Sequence, residues 1–177
     1  MEEKTITSSL EVFDWNIGYH HFPVDPKTTK QLSSEGHRRI VCTVNNQVVM
    51  HCALMPQGEG SFIMVSKKVR SELGIVLGDN VELNLKKETS EYGMPMPESF
   101  EMVLIQDEIA LAHFKKLTPG KQRSLIYIVK KLKNIDKQIT KSLAIAAHLT
   151  EMNGQLDFKL LNEKIKEYNN NTNLNIF

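Results

Sequence analysis

The sequence contains few residues that cross-link a chain, anchor it in a membrane or activate a substrate. Cys42 and Cys52 are its only cysteines among 177 residues, and both lie in alternating apolar segments typical of strands. Because a chain of this length buries a core without disulfides, we interpret both as reduced, buried side chains.

Long apolar segments are also missing. The longest unbroken runs, Leu125–Val129 and Leu143–Ala147, have five residues each, far below the ~20 residues that a membrane-spanning helix needs. The first residues, Met1–Lys4, lead into polar sequence where a secretory signal would have an apolar stretch. We therefore expect a cytoplasmic protein with no membrane span.

Neither sign of charge dominates the chain. It has 22 basic and 21 acidic residues and a formal net charge of +1, which argues against adhesion to nucleic acid through global charge. Hydrophobic residues make up 41% and charged residues 24% of the sequence, which is the composition of a folded globular protein.

Sequence signatures of catalysis are absent too. The chain has no Walker loop and no G-x-S-x-G, H-E-x-x-H or C-x-x-C motif. His20 and His21 are neighbours on a predicted strand and therefore face opposite sides, as do His51 and Cys52. This pattern disfavours both a histidine metal site and a histidine-activated thiol, and we predict a non-enzymatic protein with no cofactor or metal.

The hydrophobic period changes near residue 90. Before it, apolar residues alternate between turn signals, whereas after residue 100 they recur with the period of a helix. The segment Met94-Pro95-Met96-Pro97 between them can continue neither a helix nor a strand ladder. We predict an α+β protein with a β-domain at 1–90, a linker at 91–104, a helical domain at 105–168 and a disordered tail at 169–177.

Within the β-domain, a unit of strand, short helix, glycine turn and strand occurs twice, at 22–44 and 63–85. Each helix is preceded by a capping residue, and each second strand by a glycine, Gly36 or Gly78. Two open half-sheets can cover each other's edges by closing on one another. We therefore predict a small closed, double-split β-barrel with pseudo-duplicated halves.

The helical domain is predicted to be a small bundle of three or four helices. Capping residues indicate helix starts near Asp107, Thr118, Asp136 and Asp157. Apolar side chains at helical spacing are expected to face inward, and they are Ile109, Leu111, Ala112, Leu125, Ile128, Val129, Leu132, Ile139, Leu143, Ala146, Ala147, Leu160, Leu161 and Ile165.

Basic side chains are the candidate contact residues. Residues 115–141 hold nine basic and one acidic residue, a local charge of +8 that suits phosphates, an acidic protein or an anionic surface; a solvated lysine face is the alternative interpretation. In the β-domain two arginines are adjacent at the entry to a strand, and Trp15 is interpreted as a core residue. The candidate binding residues are Arg38, Arg39, Lys121, Arg123, Lys130, Lys133, Lys137 and Lys141.

Three segments, 37–45, 54–60 and 65–85, carry a family resemblance. They resemble the barrel domain of unknown function in bacterial proteins of the YdeI/OmpD-associated type, and residues 114–123 resemble that family's second, helical domain. At 132–139 the chain departs from the family's Ala-Lys and Thr-Arg pattern. The resemblance implies a double-split barrel similar to that of AbrB-like regulators, an association with bacteriocin protection, and no assigned catalytic residue.

These observations favour a non-enzymatic cytoplasmic binding or stress-protection protein whose partner is an acidic protein or an anionic ligand. An AbrB-like nucleic-acid-binding regulator is the alternative hypothesis. Against it, residues 1–90 carry ten basic and eleven acidic side chains, where a DNA-facing domain should be basic. An enzyme acting on a small anionic substrate is a further alternative.

Overall fold

The computed structural model describes residues 3–14, 16–34 and 37–174. It divides the chain into two compact units, Met1–Gly93 and Met94–Phe177. Two residues used in the predictions above, Trp15 and Gly36, lie outside the described residues.

The first unit contains two antiparallel sheets of four strands each. Its strands are β1 (Glu3–Ser9), β2 (Glu11–Phe13), β3 (Asn16–Val24), β4 (Arg39–Val44), β5 (Val48–Ala53), β6 (Met55–Gln57), β7 (Gly60–Val65) and β8 (Asn80–Lys87). The first sheet has the order β1-β8-β4-β5, and the second has the order β2-β3-β7-β6.

Alternation along the strands explains which side chains form the core of the first unit. In β8, Val81, Leu83 and Leu85 are buried while their neighbours are more exposed, as period-two geometry requires. Strands of both sheets contribute side chains to a single hydrophobic cluster. β4 and β5 form a hairpin, and Asn45 and Asn46 form its turn with φ values of 48° and 55°.

Two strand–helix–strand units follow the same course through the sheets. Helix α1 (Pro26–Leu32) joins β3 to β4, and helix α2 (Lys67–Leu73) joins β7 to β8. Asp25 and Ser66 cap these helices by accepting hydrogen bonds from the N–H groups of Thr28 and Val69. Each unit begins in the second sheet and ends in the first, beside its counterpart.

The prediction of a closed double-split barrel is wrong, although the mixed α+β class stands. Among the described residues, neither sheet closes into a barrel. The chain passes between the sheets through single buried residues, Leu10 and Leu54, whose N–H groups donate to the loop carbonyls of Asp79 and Arg38. The hydrogen-bonded ladders stop at these corners, so the sheets share side-chain packing instead of a continuous ring of strands.

The second unit is helical. Its helices are α3 (Glu98–Gln106), α4 (Glu108–Lys116), α5 (Pro119–Lys130), α6 (Ile135–Glu151) and α7 (Phe158–Leu174). Helix α6 packs against each of the other four. Among the described residues, no helix combines the length and the apolar character needed to cross a membrane.

Several helix boundaries differ from the sequence prediction, and α6 is capped by Asn134 instead of Asp136. Helix α3 occupies all of 98–104, which was expected to be linker, because Phe100 and Leu104 lie four residues apart and are both buried. Helix α7 continues to Leu174, past the expected end at 168. Of the tail expected at 169–177, residues 169–174 are therefore helical, and 175–177 lie outside the described residues.

The buried face of α6 also differs from the prediction. Ile139 and Leu143 were expected to face inward, yet 39% and 45% of their surface is exposed. Ile109 on α4 and Leu160 on α7, which were also expected to face inward, are 57% and 40% exposed. Ala146 is buried as expected, and the other buried residues of α6 are Thr140, Ser142, Ala144, Ile145, His148 and Leu149.

Candidate functional site

A small cleft in the first unit brings together residues that are distant in sequence. It has a volume of about 120 Å³, less than the ~300–1,000 Å³ typical of pockets for drug-sized ligands. The described residues that line it are Thr29, Ser33, Arg38, Leu54, Pro56, Gly60 and Ser61. The cleft therefore suits a small molecule or a single functional group.

Four chain segments position these residues. Thr29 lies in the middle of α1 and Ser33 caps its C-terminus. Arg38 immediately precedes β4, and Gly60 and Ser61 begin β7. The corner between β5 and β6 adds Leu54 and Pro56. Two of the segments that carried the family resemblance, 37–45 and 54–60, thus meet at this cleft.

Gly60 is required by the close approach of two strands at the cleft wall. A Cβ atom at this position would lie 2.7 Å from the carbonyl oxygen of Val24 on β3. Because this obstacle is backbone, the clash could be relieved only by moving a strand. Gly60 therefore shapes the wall of the cleft.

Hydroxyl groups form a hydrogen-bonded chain along one side of the cleft. The Oγ1 of Thr29 and the Oγ of Ser61 are 2.7 Å apart, and Thr29 Oγ1 lies 3.4 Å from the carbonyl oxygen of Val24. Ser33 Oγ donates to the carbonyl oxygen of Thr29 at 2.6 Å. Ser61 is 4% exposed, so this hydroxyl chain is held in place by the packing around it.

The two adjacent arginines have different surroundings. Arg39 donates from Nη2 to the carbonyl oxygens of His51 and Gly93, both at 3.0 Å, so its guanidinium ties strand β5 to the last residue of the first unit. Arg38 is exposed and lines the cleft. Within the described part of the chain, no hydrogen bond or ion pair engages the Arg38 side chain. Arg38 is therefore the better candidate for a ligand contact.

The remaining candidate residues lie in the second unit and form no compact site. Lys121 and Arg123 are at the start of α5, and Lys130 is its last residue, which at 1.5 Å rise per residue separates Lys121 from Lys130 by about 13 Å. Lys137 and Lys141 are on α6. Among the described residues, none of these five side chains has an acidic partner within ion-pair distance.

Lys133 and Lys141 are the two members of this group whose positions change the earlier interpretation. Because α5 ends at Lys130, Lys133 lies in the connection to α6 and not on a helix. Lys141 is partly buried, and this burial, together with the nearby charge of Lys131, lowers the pKa of its ammonium group. The structure thus brings Lys131 close to Lys141.

A polar cluster that the sequence did not predict lies at the end of the first unit. His51 Nδ1 is hydrogen-bonded to the carboxylate of Glu88, which is 5% exposed and also accepts the N–H of Ser90 at 3.0 Å. Burial opposes ionisation, but these hydrogen bonds outweigh it and lower the pKa of Glu88 to about 2. With Arg39, the pair fixes residues 88–93 against the first sheet.

The two cysteines are poor candidates for nucleophilic chemistry. Burial raises the pKa of the Cys52 thiol to about 12 and raises that of Cys42 as well, so both remain protonated, weak nucleophiles at neutral pH. No group of three or more His, Cys, Asp or Glu side chains suitable for a metal ion occurs within residues 3–14, 16–34 and 37–174.

Comparison with known proteins gives one match. Residues 7–85 match the family model of a domain of unknown function, DUF1905. This segment includes all seven residues that line the cleft and none of the basic residues of the second unit. No curated protein and no solved structure matches the chain.

Proposed function

We propose that this chain is a non-enzymatic cytoplasmic binding protein that holds a small anionic ligand in the Arg38 cleft. The observation that carries the proposal is the meeting of the Arg38 guanidinium, which has no hydrogen-bond or ion-pair partner among the described residues, with three hydroxyl-bearing side chains around one cleft. Hydrogen bonds between a charged donor and an oxyanion are short and strong, and arginine forms them in pairs.

The surroundings of Arg38 also favour an anion. Arg38 is the one charged residue among the seven described residues that line the cleft, so no carboxylate there competes for the guanidinium. Leu54 and Pro56 supply an apolar wall that suits a short carbon skeleton. This combination of a few polar groups and an apolar wall is typical of small-molecule sites.

The match to DUF1905 supports placing the first unit with the domain of unknown function found in YdeI/OmpD-associated proteins. We therefore extend the proposal to that family and to its association with bacteriocin protection. In this hypothesis, ligand binding in the first unit is the molecular activity that serves a stress-protection role.

A thermal-shift screen of small anions tests the proposal. A ligand that binds only the native state raises the melting temperature, and Arg38→Gln should abolish that shift. Arg123→Gln, which removes an arginine from α5, is the matched control and should retain it. If no anion stabilises the wild-type chain, or if Arg38→Gln responds as the wild type does, the proposal is wrong.

Nucleic-acid binding is the second candidate function. The basic side chains of α5 and α6, which have no ion-pair partner among the described residues, favour it. Against it, the closed barrel on which the likeness to AbrB-like regulators depended is not observed in the described part of the first unit. Retention of DNA or RNA that weakens steeply with salt, and that is lost when Lys121, Arg123 and Lys130 are replaced by Gln, would support this alternative.

A further inference from the structure

The hydroxyl chain beside Arg38 limits the hydrogen bonds that a ligand can receive. Ser33 uses its hydroxyl hydrogen on the carbonyl oxygen of Thr29. One hydrogen is shared between Thr29 and Ser61. If Ser61 is its donor, Thr29 is left to donate to Val24; if Thr29 is its donor, the hydrogen of Ser61 is free. The three hydroxyls therefore offer at most one hydrogen to a ligand.

The same hydroxyls offer more acceptors than donors. Each hydroxyl oxygen has two lone pairs, and Ser33 Oγ acts only as a donor in the hydrogen bonds described for it. A ligand that occupies the cleft thus meets the paired N–H groups of Arg38, one hydroxyl hydrogen, and hydroxyl lone pairs that require a donor from the ligand.

A dianionic phosphate group matches this set poorly. It carries about −1.5 to −2 charges and strong acceptor oxygens, whereas the cleft supplies one positive charge and has few donors. A carboxylate carries one charge and accepts both parallel N–H groups of an arginine. An ammonium group on the ligand would need a carboxylate partner, and none of the described lining residues is acidic.

We infer that the ligand of the Arg38 cleft is a small hydroxycarboxylate. The inference rests on the proposed function and specifies its ligand class. Arg38 binds the carboxylate, Ser61 donates its hydroxyl hydrogen to the same group, and Ser33 Oγ accepts the hydrogen of the ligand hydroxyl. Binding selects the arrangement in which Thr29 donates to Ser61, and Leu54 and Pro56 cover the carbon skeleton.

Calorimetric titration of the full chain with three probes tests this inference. Glycolate and acetate differ by one hydroxyl group, and inorganic phosphate differs from both in charge. Because a hydrogen bond of this kind contributes a modest net free energy, glycolate should bind about threefold to tenfold more tightly than acetate. Phosphate should bind more weakly than glycolate.

Two serine variants separate the hydroxyl roles. Ser33→Ala should reduce glycolate binding to the level of acetate without changing acetate binding, because it removes the acceptor for the ligand hydroxyl. The N–H of Ser33 also donates to Thr29 at 2.9 Å, so that carbonyl stays satisfied in the variant. Ser61→Ala should weaken the binding of both glycolate and acetate. In this variant the Thr29 hydroxyl can still donate to the carbonyl oxygen of Val24. Circular dichroism verifies that each variant is folded.

The possible results distinguish the two levels of the hypothesis. If phosphate binds most tightly and Arg38→Gln abolishes its binding, the ligand class is wrong and the anion site stands. If glycolate and acetate bind equally in the wild type, the role of Ser33 is wrong. If none of the three probes binds, or if Arg38→Gln binds them all unchanged, the anion site itself is refuted.

Discussion

Both units of the chain bury large apolar side chains, but α6 of the second unit buries small ones as well. The core of the first unit consists of large side chains such as Phe22, Ile40 and Leu83, all fully buried between two sheets. In the second unit, α6 buries Ser142 and Ala144 among its fully covered residues and leaves Leu143 exposed. A sheet has one inward face, whereas a helix packed against four others needs small residues to allow close approach.

The largest effect is expected from the core of the first unit. Phe22→Ala should lower the free energy of unfolding by about 3–5 kcal/mol, because it leaves a cavity between the sheets. Tyr19, on the same strand and 53% exposed, is the control, and Tyr19→Ala should cost less than about 1 kcal/mol. Urea denaturation measures both values, and similar costs would contradict the described packing.

The unexpected orientation of α6 gives the next prediction. Ile145→Ala should cost about 2–5 kcal/mol, since Ile145 is fully buried. Ile139→Ala, on the face that the sequence predicted to be buried, should cost less than about 1 kcal/mol. If urea denaturation shows a larger loss of unfolding free energy for Ile139→Ala than for Ile145→Ala, the face predicted from the sequence is the buried one and the observed orientation of α6 is wrong.

The Glu88 cluster predicts acid sensitivity in the first unit. The pKa of Glu88 is lowered from 4.5 to about 2, so its contribution is complete above pH 4.5 and is lost as the pH falls toward 2. The size of the shift corresponds to up to about 3 kcal/mol. Glu88→Gln should flatten the fall in stability over this range, as followed by urea denaturation at each pH. An unchanged acid profile in the variant would show that Glu88 is not ionised as described.

A smaller acid effect is expected in the second unit. His148 is 2% exposed, and its Nε2 accepts the N–H of Asp157 at 3.3 Å, which ties the end of α6 to the start of α7. Burial lowers its pKa below 6.5, against the opposing charges of Asp157 and Glu151. The unfolded chain therefore binds the proton more readily, and stability falls as the pH drops below 6.5.

His148→Gln checks this effect because glutamine keeps an acceptor and does not titrate. The variant should lose roughly 1 kcal/mol or less at pH 7.5 and should show a shallower decline of stability below pH 6.5. Burial also lowers the pKa of His21 in the first unit, so the wild-type chain loses stability in acid through both histidines. The effect of His148 is therefore obtained by comparing the His148→Gln profile with the wild-type profile. Parallel profiles for variant and wild type would contradict the prediction.

The difference between the units also explains what the sequence could predict. Strand alternation at Val81, Leu83 and Leu85 depends on the local chain alone, and these residues are buried as expected. The exposure of Ile139 depends on which helices surround α6, and that arrangement has no local signal. Which strand edges pair also depends on tertiary packing. The sequence therefore could not distinguish a closed barrel from two separate sheets around one core.

The candidate site was predictable to a similar extent. Arg38 was selected from the sequence as a basic residue at a strand entry, and it lines the cleft. Thr29, Ser33 and Ser61 were not selected, because lone hydroxyl residues are common and only the fold brings α1 next to β7. The His51–Glu88 pair joins residues that are 37 positions apart, and no spacing rule predicts such a contact.

Titration of the ¹⁵N-labelled chain with glycolate, followed by amide NMR, tests the central claim most directly. The account predicts saturable shifts at Arg38, Leu54, Gly60 and Ser61, with little change along α5 and α6, and loss of these shifts in Arg38→Gln. Shifts confined to the lysines of α5 and α6, or identical shifts in wild type and Arg38→Gln, would contradict it.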